Sequence, residues 1–159
     1  MSFEMMVVEY PAKQLTGMKC RSSMQSASTD CGALWQTFGP RMGELSGGGC
    51  GCECGCTGAF GISLMHDETG FDYWAAVEAK PGTPVPEGMG TIEIPAGVYA
   101  KCSVSGLAQL GDAYKFVYGV WASGNTEYTL RYDAPCFEWY PPNWQPTDLL
   151  EIFAPVRKI

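Results

Sequence analysis

A short pattern occurs twice in this chain and limits its fold more than any other feature. Glu9-Tyr10-Pro11-Ala12-Lys13 leads to Met18-Lys19-Cys20, and Glu93-Ile94-Pro95-Ala96-Gly97 leads to Ala100-Lys101-Cys102. Farther along, Ala33-Leu34-Trp35-Gln36-Thr37-Phe38-Gly39 is matched 80 residues later by Ala113-Tyr114-Lys115-Phe116-Val117-Tyr118-Gly119. Two copies fall short of the three or more units a stacked solenoid needs, but they can share one core about a pseudo-twofold axis. The expected organisation is a single domain over 1–159, with repeat 1 over about 1–80 and repeat 2 over about 90–159. The turn-rich stretch from Lys80 to Gly88 separates the repeats.

Each half reads as strand, helix, strand, strand. Strands are expected over 5–10, 14–20, 60–65, 71–79, 91–94, 98–104, 136–140 and 149–156. In one of them Val98, Ala100, Cys102 and Val104 alternate with Tyr99, Lys101 and Ser103, as in a half-buried antiparallel strand. The first helix carries Leu34, Phe38, Met42 and Leu45 on one face behind the N-cap cluster Ser28-Thr29-Asp30, with a kink at Pro40. The second carries Leu110, Tyr114, Val117, Tyr118 and Trp121 and stops at Ser123-Gly124. Both aromatic stripes suit a core, unless a cleft opens between the helices. The fold class is therefore α+β: duplicated β-α-β-β halves with an antiparallel sheet, two helices on one side and a cleft between the halves.

At 159 residues and 46% hydrophobic content the chain can bury a sizeable core. Its net charge of -7 repels phosphate backbones, and it shows no basic stripe or helix-turn-helix, which argues against direct nucleic acid binding. The N-terminal residues lack the basic region and apolar run of a signal peptide, and no segment reaches transmembrane length, so a cytoplasmic location without a membrane partner is expected.

The densest chemical signal is Phe137-Glu138-Trp139-Tyr140-Pro141-Pro142-Asn143-Trp144, one carboxylate among four aromatic rings. A carboxylate in apolar surroundings loses hydration worth several kcal/mol, and it persists only with a partner charge or a raised pKa. Aromatic faces contribute about 0.5–2 kcal/mol each towards a cation over the ring. The competing reading is an exposed strand residue flanked by core aromatics.

The run Cys50-Gly51-Cys52-Glu53-Cys54-Gly55-Cys56 packs four thiols into an insert over 46–58 that breaks the repeat. Cys50, Cys52, Cys54 and Cys56 could hold zinc or copper(I), although single-residue spacing suits a cluster better than a mononuclear zinc site. The alternative is a flexible reduced loop. Cys20, Cys31, Cys102 and Cys136 read as small core or strand residues, and His66, the only histidine, as structural or exposed. The glycine run from Gly47 to Gly49 lacks the Lys-Ser/Thr of a phosphate loop.

Several of these segments together resemble the GyrI-like effector-binding domain. They are the run from Met89 to Ala100, Tyr118-Gly119-Val120-Trp121-Ala122-Ser123-Gly124, Phe137-Glu138-Trp139-Tyr140, Phe60-Gly61-Ile62 and Phe71-Asp72-Tyr73-Trp74-Ala75-Ala76-Val77-Glu78. The resemblance spans nearly the whole chain apart from the cysteine insert. It implies a duplicated fold with a hydrophobic cleft between the halves and a glutamate at its base, the place Glu138 takes. It further implies that Trp35, Phe38, Tyr73, Trp74, Tyr118, Trp121 and Tyr140 lie in segments lining the cleft. Strand parity leaves open which of Tyr73 and Trp74 faces inward. In multidrug-sensing transcription regulators this domain binds lipophilic cations and is fused to a DNA-binding domain. The present chain is similar to the stand-alone type found among gene-cassette proteins.

The leading expectation is a non-catalytic module that needs no cofactor. It binds lipophilic, cationic aromatic small molecules in an aromatic cleft, with Glu138 as counter-charge. The second is a hydrolase, because some stand-alone members of the family open reactive cyclopropane rings of genotoxic natural products, and Glu138 would then be the catalytic base. The third is a protein partner, gyrase or another, or a homo-oligomer.

Overall fold

The computed structural model describes residues 3–23, 25–41, 59–67, 70–78, 84–131, 133–141 and 147–159. The cysteine insert, Met42, Leu45 and Trp144 lie outside these described residues. Nine strands and two helical segments make up the described fold. In chain order they are β1 (Met5–Tyr10), β2 (Lys13–Ser22), α1 (Ala27–Phe38), β3 (Ala59–Asp67), β4 (Gly70–Val77), β5 (Gly90–Ile94), β6 (Gly97–Val104), α2 (Leu110–Lys115), β7 (Tyr128–Leu130), β8 (Cys136–Tyr140) and β9 (Leu150–Lys158). Every strand pairing is antiparallel, and eight strands run in the order β1-β6-β9-β8-β3-β4-β2-β5, with β7 added to the end of β9.

The two proline pairs act as sequence chemistry predicts. Proline lacks a ladder N–H, so β1 stops at Tyr10 before Pro11 and β5 stops at Ile94 before Pro95. After each stop the chain crosses to another part of the sheet. β1 precedes β2 but pairs β6, whereas β5 precedes β6 but pairs β2. At the centre β3 meets β8, with Gly61 directly opposite Glu138.

Side chains alternate between the two faces of the sheet, and each face carries its own core. The helices cover the first, where Leu34 and Phe38 of α1, Ala113 of α2 and Val117 just beyond its end pack with Tyr73, Ala75, Ala100, Cys102, Tyr140 and Ile152. The second holds Leu15, Phe60, Ile62, Trp74, Ile94, Tyr99, Phe137 and Phe153, and among the described residues no helical one joins it. Phe137 and Phe153 stack there with centroids 4.7 Å apart. Tyr99 is thus buried rather than turned to solvent, and β6 is covered on both faces at that position.

Three local expectations need correction. Helix α1 begins at Ala27, and its first turn is organised by Asp30, whose Oδ2 accepts from the hydroxyls of Ser26 at 2.7 Å and Ser22 at 3.0 Å. The cluster Ser28-Thr29-Asp30 therefore sits inside the helix. Among the described residues α1 ends at Phe38, and Pro40 lies in the single tight turn, Gly39–Arg41, that follows it rather than inside α1. In the second helix regular α geometry lasts only from Leu110 to Lys115. The chain then widens into a π-helical segment, Phe116–Trp121, before a last turn at Ala122–Gly124. Such widening places side chains off the 3.6-residue stripe read from the sequence. Strand β7 was not anticipated, because three residues are too few for a periodic signal.

Candidate functional site

The alternation of β8 sorts its residues at once. Phe137 belongs to the second core with Trp139 packed against it, whereas Tyr140 belongs to the helix-covered core. The carboxylate of Glu138 is therefore not set among the rings of its own strand. Of those described rings only Tyr140 shares its face, and the remaining aromatic partners come from other elements.

Glu138 is 5% exposed. Burial pushes its carboxyl pKa up, opposed by two hydroxyl donors. Tyr114 of α2 donates to Oε2 at 2.5 Å, and Tyr140 donates to Oε1. Both phenols are themselves held well above their ordinary pKa by burial and by the neighbouring carboxylate, so they stay protonated and keep donating. Tyr73 lies close by: burial, and after it the charge of Glu138, raises its pKa well above the usual tyrosine value. Trp35 of α1 donates its indole N–H to the Tyr73 hydroxyl at 2.9 Å, and its ring meets Tyr140 edge-on at 5.7 Å and Phe38 at 6.0 Å.

One strand position makes room for this group. A side chain on Gly61 would stand beside Glu138 across the β3–β8 ladder, and the space it leaves is taken by the Tyr73 hydroxyl. The thiols nearby are chemically quiet. Burial, and after it the Glu138 charge, pushes Cys31 up to about 12, and burial also raises Cys136, which has a hydrogen bond with Tyr118. Thiols so far above neutrality are protonated and poor nucleophiles.

The expected site residues thus divide into groups. Glu138, Tyr140, Tyr73 and Trp35 come together, with Phe38 packed behind Trp35 as a fully buried core residue. Tyr118 lies on the same side, its ring 6.2 Å from that of Tyr114. Trp74 does not join them. The strand parity that turns Tyr73 towards Glu138 turns Trp74 into the second core, where it is 8% exposed and faces the Lys19 ammonium at 5.7 Å. Trp121 lines a depression of about 320 Å³ with Met5, Met6, Val7, Asn125, Glu127 and Tyr128, a lining that excludes Glu138. Tyr114 and Gly61 were missed as site residues. Tyr114 was legible only as one member of an apolar stripe, and Gly61 only as part of a family segment.

Comparison with known proteins bears on the family and the fold. A family model described as the GyrI-like small molecule binding domain matches residues 3–157. The chain belongs to the GyrI-like family. A curated relative is the transcriptional regulator BrlR of Pseudomonas aeruginosa, 32% identical over 113 residues. That match takes in 70% of this chain and 39% of BrlR, so the chain spans about two-fifths of that regulator. Among solved structures, an integron cassette protein from the mobile metagenome of Vibrio cholerae superposes with a TM-score of 0.69 at 20% identity, covering 98% of this chain and 97% of that one. SAV2435, solved bound to tetraphenylphosphonium, gives 0.71 at 16% identity over 99% of this chain and 94% of that one. The C-terminal domain of EcmrR gives 0.67 at 18% identity with full coverage of both chains. These structural likenesses show that the chain shares the fold of those proteins.

Among the described residues of this GyrI-like chain, no group of three or more His, Cys, Asp and Glu side chains is placed to hold a metal ion, and no helix is long and apolar enough to cross a membrane. The four insert thiols fall outside that description.

Proposed function

We propose that this GyrI-like domain binds lipophilic, cationic aromatic molecules, with Glu138 as counter-charge and Tyr73, Tyr114, Tyr140, Trp35 and Tyr118 as the surrounding rings and donors. The observation carrying this reading is a buried carboxylate whose only described hydrogen-bond donors are two neutral phenols. Neutral donors replace part of the lost hydration but leave the negative charge uncompensated, and a cation supplies the missing term. SAV2435, which shares the fold and was solved with a phosphonium cation, makes that ligand class a natural probe.

The strand order supports the accompanying architectural proposal. Read from its two ends, β1 corresponds to β5, β6 to β2, β9 to β4 and β8 to β3, so that duplicated halves meet at the β3–β8 pair. Glu138 and Gly61 lie at that junction, and a cleft between the halves opens over them, flanked by α1 and α2. The expected test is calorimetric. Below the raised pKa of Glu138 the free protein holds a proton there, so tetraphenylphosphonium binding should release protons, and the heat should depend on buffer ionisation enthalpy. Binding with no proton release at any pH between about 4 and 8 would argue against a charge at Glu138.

The raised pKa also suits a general base, which keeps hydrolysis of reactive cyclopropane-bearing compounds as the second reading. Product formation from such a compound, abolished by Glu138→Gln, would favour it.

A further inference from the structure

Gly61 stands opposite Glu138 in the β3–β8 register, and its surroundings explain why no side chain is there. A Cβ at this position would lie 2.3 Å from the Tyr73 hydroxyl oxygen, 3.1 Å from the ring carbon that bears it and 3.2 Å from Glu138 Oε1. Residues directly opposite on antiparallel strands keep their Cβ atoms about 4.5–5.5 Å apart, so a methyl group at 61 would stand tightly beside the carboxylate while colliding outright with the Tyr73 hydroxyl. Tyr73 arrives from the other side. It pairs with Ser63 across β3–β4, which makes Gly61 its diagonal neighbour, close enough for an aromatic side chain to lie across the bare glycine. The hydroxyl cannot retreat freely, because its position is tied to the Trp35 indole at 2.9 Å.

We infer that Gly61 is a specificity-determining residue of the Glu138 site: its missing side chain seats Tyr73 beside the carboxylate and so sets where that wall of the site stands relative to the ligand charge. The inference rests on the reading of Glu138 as counter-charge. Its geometric half concerns Gly61, Tyr73 and Trp35 and can be read without any ligand.

The test uses the full chain as wild type, Gly61→Ala, Tyr73→Phe and the double variant. One readout is tetraphenylphosphonium affinity by calorimetry. The other is the indole N–H resonance of Trp35 in ligand-free protein, assigned among the five tryptophans by Trp35→Phe. Gly61→Ala should shift the Trp35 resonance and weaken the cation about five- to tenfold, the scale of one disrupted hydrogen bond. Tyr73→Phe removes the oxygen that the new methyl group meets, so the double variant should bind no worse than Tyr73→Phe alone. Should Gly61→Ala fail to fold, recovery of folding in the double variant reads the same rescue. An unchanged Trp35 resonance with unchanged affinity in Gly61→Ala, or losses that simply add in the double variant, would overturn the role of Gly61. A wild-type chain that ignores the cation would instead overturn the counter-charge reading itself, and the specificity role with it.

Discussion

The indole N–H of Trp35 donates to the hydroxyl of Tyr73 across 2.9 Å, joining helix α1 to strand β4 beside a buried carboxylate. Strand parity gives the sequence neighbours Tyr73 and Trp74 different roles, with Trp74 packed on the other face of the sheet, and the bond fixes where the Tyr73 hydroxyl stands in the site. Trp35→Phe keeps a ring but removes the donor, and it should lower stability by about 1 kcal/mol and weaken cation binding. Trp74→Phe should reduce stability through lost packing yet leave tetraphenylphosphonium affinity unchanged. Urea denaturation and calorimetry on both variants check the contrast.

The two phenol donors should be separable from the charge they solvate. Tyr114→Phe and Tyr140→Phe each leave one carboxylate oxygen with a donor fewer, so each should raise the Glu138 pKa above its already raised value. Each should also destabilise the fold by about 1–3 kcal/mol at neutral pH, the range for a buried group left unsatisfied. Carboxyl carbon shifts followed by NMR through a pH titration read the first effect, and chemical denaturation reads the second.

Stability should depend on pH through Glu138 in a defined direction. Its folded-state pKa lies above that of the unfolded chain, so the fold holds the proton more tightly. The contribution is fully present below the unfolded value, about 4.3, and is lost as pH rises through the folded value. Glu138→Gln cannot ionise. The stability difference, variant minus wild type, should therefore grow across that window and level off above it, when measured by denaturant titration at a series of pH values. A difference independent of pH would show that Glu138 does not titrate abnormally.

The cysteine-rich stretch should be separable from ligand binding. It interrupts the repeat, so a chain lacking residues 46–58 should bind tetraphenylphosphonium as the full chain does. A large loss of affinity on deletion would place the insert in the pocket.

How much of this was readable beforehand follows the range of each interaction. Periodicity and proline placement located eight of the nine strands and both helices, because those signals act within a few residues. Glu138 stood out through its aromatic run, but strand parity sends Phe137 and Trp139 away from it; Tyr73 was expected beside it through the family resemblance, whereas Tyr114 of α2, a hydrogen-bond donor from another element, was not. Parity could not choose between Tyr73 and Trp74, since β4 is apolar on both faces and its burial pattern shows hardly any alternation. Trp121, expected from its family segment to lie near the cleft, sits in the π-helical stretch after Lys115 and lines the depression with Met5 and Tyr128, a local winding no residue-type signal announces. Gly61 carries no side chain to read, and its importance exists only across the β3–β8 ladder.

The central claim is that the Glu138 charge, rather than its shape, selects the ligand. Calorimetric titration of wild type and Glu138→Gln with tetraphenylphosphonium and with neutral triphenylphosphine oxide tests it most directly, because the substitution keeps volume and hydrogen-bonding capacity while removing the charge. The account predicts a loss of about tenfold to a hundredfold for the cation, corresponding to roughly 1.5–3 kcal/mol for a buried charge-assisted contact, with little change for the neutral compound. Equal losses for both compounds, or none for either, would contradict it.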